Sequence, residues 1–563
     1  MKAKIFFVTL LFFFGVLQLQ AQTNYADWVK TFENAEAGND FTNILFDGQD
    51  YILNGYYYYG ADFNGITLPE NGSANSIITK VDDNGEPIWT STIEGSGMDI
   101  FYDMSLNSEN DIILVGWTST NSVLNFNGVS FFEGNGEYID RSMVVKISGV
   151  DGSLIWSKFF NGAQYEIVYS TNVAVDEQDN IYVGGYYNCP FQVDDISIPY
   201  NHQDGNDLFM LKFDTDGNAI WGQYFAAESE EGYAEISSVI VNDESVYFSF
   251  QYSIPLVING VALPHTGMWY WLAVAKASKE TGVVEAVNPF GSNGITAIQQ
   301  IKFDNENNIL AVGFFDNYSP LTIGTFTING LGDDDGYFFK MDNNLEVLWA
   351  KQLGNQFLDG TYNVQVDESN NYFIGGMFYN GANLSYDGLD VLDANVTSSY
   401  SLFYLMTDED GTFIQSTGLY GDEAEISMII INSSSVVTNG NMKEVFCVGW
   451  FTNMVTFVQG EQLLGSSTGF LYKWSIPFVT VSTEESDFNS LMGVFPNPVN
   501  DFLWIKPAGN NAKIEIYNLL GILVYTDEIE STTQVSMEML PSGNYLVKIS
   551  SEKIAQTFNI LKN

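Results

Sequence analysis

Seven times along this chain an apolar, strand-like run ends at the same slot, and in six of the seven the slot holds lysine. The runs are SIITK ending at Lys80, SMVVK at Lys146, LFMLK at Lys212, WLAVAK at Lys276, YFFK at Lys340 and FLYK at Lys473. In the sixth copy SLFYLM places Met406 in the slot. Successive slots lie 66, 66, 64, 64, 66 and 67 residues apart. Self-similarity at one period of this length means a chain built from a single supersecondary unit packed against copies of itself.

Two further markers keep the same phase. A turn and a tryptophan follow the lysine: VDDNGEPIW to Trp89, SGVDGSLIW to Trp156, FDTDGNAIW to Trp221 and MDNNLEVLW to Trp349, with Ala286 and Gln415 in the fourth and sixth copies. A strand with an interior glycine reads YILNGYY, IILVGW, IYVGGYY, ILAVGFF, YFIGGMF and FCVGW. The fourth copy has VYFSFQY there, which reads as serine for glycine. A variable insert precedes the lysine strand and often holds Asn-Gly or Asp-Gly, at Asn64-Gly65, Asn127-Gly128, Asn259-Gly260 and Asp387-Gly388. Those dipeptides suit type I′ hairpins, whose two central residues need positive φ.

Each unit therefore reads as a four-stranded antiparallel meander without a helix. Seven such units predict an all-β chain with a seven-bladed β-propeller over residues 22–481. A stacked β-solenoid fits less well, because its coils are usually shorter and carry fewer hairpin signals. The strand glycine lets backbones approach near the crowded axis, and the tryptophan fills space between blades. The seventh copy lacks a turn-plus-tryptophan strand after its lysine, whereas ADWVKTF (Ala26 to Phe32) matches WSKFF from Trp156 and WAKQL from Trp349. An N-terminal strand is thus expected to complete the last blade and close the ring, abolishing two sheet edges. VAVDEQDNIYVGGYY, Val173 to Tyr187, resembles the bacterial β-propeller repeat with its VxxDxxxNIYVxG core.

The last seventy residues change character. FPNPVNDFLWI runs from Phe495 to Ile505, IEIYNLLGILVY from Ile514 to Tyr525 and MLPSGNYLVKI from Met539 to Ile549, before the terminal FNILKN from Phe558 to Asn563. Pro496 and Pro498 lack ladder N–H groups, so FPNP reads as a turn or the start of an edge strand. The apolar runs on either side of Asn518 to Gly521 read as a hairpin, and alternation resumes after Pro541-Ser542-Gly543-Asn544. A small C-terminal β-sandwich over 491–563 is expected, after a Ser-, Thr- and acid-rich linker at 482–490. In order and position these motifs resemble the type A C-terminal sorting domain of the type IX secretion system of the Bacteroidota. The resemblance implies a partner, the secretion machinery of the outer membrane, engaged through residues 491–563. It also implies export to the cell surface or the medium, with removal of the tail and in some members transfer of the cargo to surface lipopolysaccharide.

The N-terminus fits that route. Lys2 and Lys4 precede an apolar run from Ile5 to Phe14 broken only by Thr9, and Ala21 is a suitable cleavage residue, so 1–21 reads as a secretory signal peptide. No other stretch reaches the roughly 18 apolar residues of a membrane-spanning helix, so no transmembrane segment is expected in the mature chain. Twenty Lys+Arg stand against 70 Asp+Glu for a net charge of −50, and Arg141 is the sole arginine. Nucleic acid, anionic lipid and phosphate ligands are disfavoured, since their recognition relies on clustered cations. With 45% hydrophobic and 15% aromatic residues this is not a disordered acidic chain. Cys189 and Cys447 fall in the third and seventh copies, which are not neighbours in a ring of seven, so two separate buried thiols are expected.

Catalytic motifs are lacking. His202 and His265 stand near neither a Gly-x-Ser-x-Gly elbow nor a His-Glu-x-x-His pair, and both read as loop residues. Asp214 to Gly217 and Asp408 to Gly411 look like calcium loops but do not continue to a distal glutamate, so hairpin turns are the simpler reading. The turn also differs from the sialidase Asp-box, since Gly85 to Trp89 and Gly217 to Trp221 are four apart where the box needs three. One pattern singles out acids. Ten residues after the tryptophan slot stand Asp99, Glu166, Glu231, Asp359 and Glu425, with Gly38 and Thr296 in the other copies. They either cap turns by accepting backbone N–H bonds or ring one mouth of the channel and attract Ca²⁺ or a cationic ligand. No other cofactor is indicated. Three functions stay open: a non-enzymatic binding or adhesion scaffold for a glycan or surface protein, a secreted carbohydrate-active enzyme using two channel-mouth carboxylates, and a structural component of the surface or matrix.

Deleting Leu491 to Asn563 should leave a folded propeller retained in the periplasm. Fractionation of cells carrying the truncated chain checks this, and normal delivery to the surface or medium would contradict the sorting role.

Overall fold

A computed structural model describes residues 22–23, 27–33, 38–70, 73–134, 139–163, 166–200, 205–227, 232–258, 261–265, 270–379, 381–392, 400–419, 429–439, 442–458, 461–477, 493–495, 502–506, 512–518, 523–529, 533–537, 540–541, 543–550 and 555–562. The signal peptide, the linker 482–490, the FPNP turn, Asn259-Gly260, His202, Glu231 and Glu425 lie outside them. Among the described residues every regular element is a strand, and no helix is long and apolar enough to cross a membrane. Two compact units are present, Met1–Phe478 and Val479–Asn563.

The larger unit is a β-propeller. Seven four-stranded antiparallel meanders occur among the described residues, with first strands Asp40–Phe46, Asp99–Leu106, Val168–Val175, Ala234–Val241, Thr296–Phe303, Gly360–Val366 and Ile429–Asn439. We number the sheets 1 to 7 in that order. Each first strand packs against those of its two neighbours, and that of sheet 7 packs against that of sheet 1. Trp28–Glu33 is the fourth strand of sheet 7, with Trp28 opposite Lys473. The same cross-strand register recurs at Lys80/Trp89, Lys146/Trp156, Lys212/Trp221, Lys276/Ala286, Lys340/Trp349 and Met406/Gln415. Inserts between second and third strands form hairpins such as Ala61–Phe63 with Ile66–Leu68. The Asn64-Gly65, Asn127-Gly128 and Asp387-Gly388 turns have positive φ at both residues, as a type I′ turn requires. Four of these hairpins extend the fourth strand of the preceding sheet, which covers an otherwise open edge.

Every first strand carries a one-residue bulge, at Thr42, Tyr102, Thr171, Ser237, Gln299, Tyr362 and Asn432. The interior glycine of the second strand lies beside it. A methyl group on Gly55, Gly116, Gly185, Gly313, Gly376 or Gly449 would come within 1.9–2.3 Å of a first-strand carbonyl oxygen. The glycine marker is therefore a demand of the bulge. Sheet 4 corrects the reading of serine for glycine. Phe250, opposite Ile236, occupies the glycine position, and Ser249 lies one step beyond it, opposite Ser238.

Tryptophans join the sheets. Trp28, Trp89, Trp156, Trp221 and Trp349 lie against the turn glycines of the next sheet, Gly85, Gly152, Gly217, Gly282 and Gly411. All five glycines have φ between 70° and 80°. At Gly152 a methyl group would sit 2.5 Å from the Trp89 ring. The one exception among these turns is complementary. Ala286 replaces tryptophan in sheet 4, and the turn of sheet 5 carries Leu345 in place of glycine, with φ 67° and 4% exposure, in a core cluster that Ala286 packs against. Large on small has become small on large.

The marker lysines tie the end opposite the inserts. Lys80 Nζ lies 2.6 Å from Asp47 and donates to the Gly149 carbonyl of the next sheet, and Lys340 pairs with Asp304 at 2.9 Å and donates to the Glu409 carbonyl. Lys473 bridges sheet 7 to Asp83 of sheet 1 at 2.8 Å. Where Met406 has lost the charge, Lys443 of sheet 7 reaches the buried Asp367 of sheet 6 at 2.9 Å. Cys189 and Cys447 are free and buried.

The smaller unit holds a three-stranded sheet of Gly493–Phe495, Phe502–Lys506 and Thr533–Ser536. Its four-stranded sheet runs Leu523–Ile529, Ala512–Asn518, Gly543–Ser550, Ala555–Lys562. Leu503, Ile505, Ile514, Ile516, Val535 and Val547 form a common core between them, as in a β-sandwich.

The swapped pair yields a double-mutant test. Leu345→Gly should cost about 2–4 kcal/mol through loss of a buried side chain, and Ala286→Trp alone about 1–3 kcal/mol through overpacking. The double variant should be more stable than their sum by at least about 1 kcal/mol. Denaturant melts of the four proteins check this, and strict additivity would mean that the two side chains do not share one space.

Candidate binding site at the channel mouth

The bulge decides what lines the channel. An extra residue in the strand brings two consecutive side chains to the axial side, and the residue after each bulge is polar: Asn43, Asp103, Asn172, Ser238, Gln300, Asn363 and Ser433. In the sequence these points carry the polar pairs TN, YD, TN, SS, QQ, YN and NS, which interrupt strand alternation and so give no strand signal of their own.

These side chains link each first strand to the next. Asn43 Nδ2 donates to Asp103 Oδ1 at 2.8 Å, and Asp103 Oδ2 accepts from Val173 N at 2.9 Å. Asn172 Nδ2 donates to the Ser237 carbonyl, and Ser238 Oγ to that of Ile301. Gln300 Oε1 accepts from Val364 N, and Asn363 Oδ1 from Ser434 Oγ. Asn432 Nδ2 closes the circle on the Phe41 carbonyl and the Asp40 carboxylate, each at 2.8 Å. First strands of neighbouring sheets share no backbone ladder, so side chains supply the polar contacts that a ladder would give. The channel encloses about 650 Å³. Lys302 lies in its wall, donating to Gln365, and burial pulls its ammonium down to about 8.

The acids singled out by a constant offset do not share one structural position. Asp99 and Asp359 lie three residues before the bulge, Glu166 five, Glu231 six and Glu425 seven, because the preceding loops differ in length. Asp99 is buried and accepts from the hydroxyls of Thr118 and Thr120. Asp359 is buried and accepts from the backbone N–H groups of Asn355 and Tyr379. Burial pushes Asp99 up to about 6 and Asp359 up to about 8, against those hydrogen bonds. Glu166 stands in a loop beside the Cys189 thiol, which burial, reinforced by Glu166, pushes up to about 12. Among the described residues no group of three or more His, Cys, Asp or Glu side chains could hold a metal ion. The Asp214 and Asp408 loops are hairpin turns whose carboxylates accept from backbone N–H groups two and four residues on. His265 lies between the rings of Tyr252 and Trp271.

At the insert end the mouth carries aromatic rings. Trp117 stacks on Tyr169 at 4.7 Å, Tyr169 meets Tyr186 at 5.6 Å, Tyr186 meets Tyr233 at 6.2 Å and Tyr233 meets Tyr270 at 5.8 Å. Trp117 Nε1 donates to the Tyr102 hydroxyl at 2.9 Å, and the Tyr169 hydroxyl donates to Asp140 at 2.6 Å. Inside this arc a pocket of about 400 Å³ is lined by Tyr102, Tyr186, Glu235, Gln251, Asn172 and Gln299 among others. Gln251 Nε2 donates to Glu235 Oε2 at 3.2 Å, and burial raises the Glu235 carboxyl above its ordinary value.

Residues 493–563 match the family model described as "Secretion system C-terminal sorting domain", and residues 155–188 match the "Beta-propeller repeat". An ulvan lyase of Nonlabens ulvanivorans is 34% identical over 90 residues, 15% of this chain and 17% of that protein. An uncharacterized WD repeat-containing protein of Acanthamoeba polyphaga mimivirus is 21% identical over 562 residues, 80% of this chain and 39% of that protein. The chain thus spans well under half the length of either relative. The extracellular region of plexin A4 aligns with 96% of this chain and 53% of its own at 9% identity and a TM-score of 0.34, too low to bear on fold or function. The sorting domain marks the chain for type IX export to the cell surface or the medium.

The raised carboxyls set a pH dependence. Asp40 and Asp359 stand at about 8, and Asp99, Asp103 and Asp335 at about 6, each through burial. Between pH 5 and 8 the folded chain holds protons that the unfolded chain has lost, so stability falls as pH rises through this window. Carboxyls held low, such as Asp47 and Asp176, contribute a constant amount there, because both their states are ionised. The melting temperature should therefore drop from pH 5 to pH 8, and Asp359→Asn should flatten the drop. A melting temperature that rises over this range would contradict the assignment.

Proposed function

We propose that this exported β-propeller-repeat protein is a non-enzymatic binding and adhesion scaffold that presents the aromatic mouth of its channel to a glycan or a surface-protein ligand. The carrying observation is the arc from Trp117 to Tyr270 around an open pocket. Half-buried tyrosine rings beside amide side chains suit recognition of partly apolar, hydroxyl-rich ligands. The other lining of the channel supports the same reading, since its polar side chains are occupied in tying strand to strand. Asp99 and Asp359 belong in this view to loop capping, with Ca²⁺ unneeded at either.

The domain assignment goes with it: signal peptide 1–21, a seven-bladed propeller over 22–481, linker 482–490, and the export domain 491–563 that engages the secretion machinery. The seven meanders and the pairing of Trp28–Glu33 with the seventh support this division.

A second reading, a carbohydrate-active enzyme, is favoured by the likeness to an ulvan lyase. A panel of polysaccharides scored for retention and for new chain ends separates the readings. Retention without cleavage is the expected result. Cleavage by a purified preparation would replace the proposal with the enzyme, and neither retention nor cleavage would leave a structural component of the surface.

A further inference from the structure

Among the described residues the acid of the mouth pocket has no counter-charge. Glu235 lies in its wall and accepts a hydrogen bond from the neutral amide of Gln251. Among the described residues no lysine or arginine forms an ion pair with it. Lys340 on Asp304 and Lys443 on Asp367 compensate two other buried acids with a cation, and Asp99, Asp103 and Asp359 are each held by two or more hydrogen bonds, whereas Glu235 has the one from Gln251 in an open pocket. Aromatic rings stand close to Glu235. Tyr102 and Tyr186 line the same pocket, Tyr233 stands against Tyr186, and all three lie close enough to Glu235 to feel its charge.

We propose that this pocket binds an organic ammonium group, held by the Glu235 carboxylate and the faces of Tyr102 and Tyr186. A tyrosine face attracts a cation through the ring quadrupole, and the attraction grows when water is excluded. A neutral sugar could accept or donate hydrogen bonds here but would leave the carboxylate uncompensated, which is the costly feature of the pocket. Burial raises Glu235, so the site penalises its lone negative charge and gains when a cation arrives. The net charge of −50 draws cations toward the surface from a distance. Asn172 and Gln299 also line the pocket, and their amide oxygens are acceptors of the kind that the N–H donors of a primary ammonium need.

This rests on the binding-scaffold reading and narrows it to a ligand class. Two sources share the chemistry, an amino sugar and an alkylammonium head group, and paired probes tell them apart. Calorimetric titration of the full chain would compare glucosamine with N-acetylglucosamine, and choline with 3,3-dimethyl-1-butanol, in each pair a cation against a neutral analogue. At least one cation should bind at least about tenfold more tightly than its neutral partner. Glu235→Gln should remove that preference, while Tyr186→Phe keeps binding and Tyr186→Ala weakens it. If Tyr186→Ala does not fold, Glu235→Gln and Tyr186→Phe still decide. Equal binding within both pairs, or a preference unchanged in Glu235→Gln, overturns the proposal; so does a choline effect that matched sodium chloride reproduces, since that is screening only. The scaffold reading fails separately, by polysaccharide cleavage or by absence of retention.

Discussion

The bulge in each first strand is the constraint on which the propeller depends. It makes the first strand one residue longer than its partner, bends it toward the axis and turns two consecutive side chains into the channel. A first-strand carbonyl beside the bulge approaches the second strand so closely that a Cβ on Gly116 would lie 2.0 Å from that of Ile100. A recurrent glycine and a recurrent polar pair are therefore two consequences of one backbone feature.

Apart from the insert hairpins, neighbouring sheets share no ladder, so side chains join them at three places. Near the axis the ties run from Asn43 to Asp103 and onward to Asn432 and Phe41. At the end opposite the inserts lysines reach across to carbonyls and carboxylates, and toward the rim tryptophans cover turn glycines. The exceptions show that the contact is maintained even where the residue type is not. Lys443 serves Asp367 where Met406 cannot reach it with charge, and Leu345 fills the space that Ala286 leaves. Lone substitutions in such a ring open a gap or leave a buried charge, so paired changes across a sheet boundary are the tolerated route.

The same economy of cations gives the mouth its character. With 20 Lys+Arg against 70 Asp+Glu, most positive charges are committed to structural pairs. What lines the pocket at the mouth is largely tyrosine, amide and carboxylate. Export to the surface or the medium places that face in contact with whatever the cell meets outside.

Much of the fold was legible in the sequence, because the lysine, tryptophan and glycine markers each report a contact repeated at fixed phase. The sorting tail was legible for a different reason, since its motifs lie close together along the chain. Where loops vary, constant spacing failed. Ten residues beyond the tryptophan slot reach equivalent positions at Asp99 and Asp359 but not at Glu166, which sits two residues further from its bulge. The displacement of Ser249 by Phe250 at the glycine position needed the cross-strand register. By itself, then, the sequence determined the period, the strand order within a unit and the export address, all local properties of the chain. Only the tertiary structure decided which side chains meet across sheet boundaries, and so created the mouth pocket. Trp117, the cross-strand pair Tyr169 and Tyr186, and Tyr233 belong to three successive sheets and become neighbours because closing a ring brings the ends of those sheets to one rim.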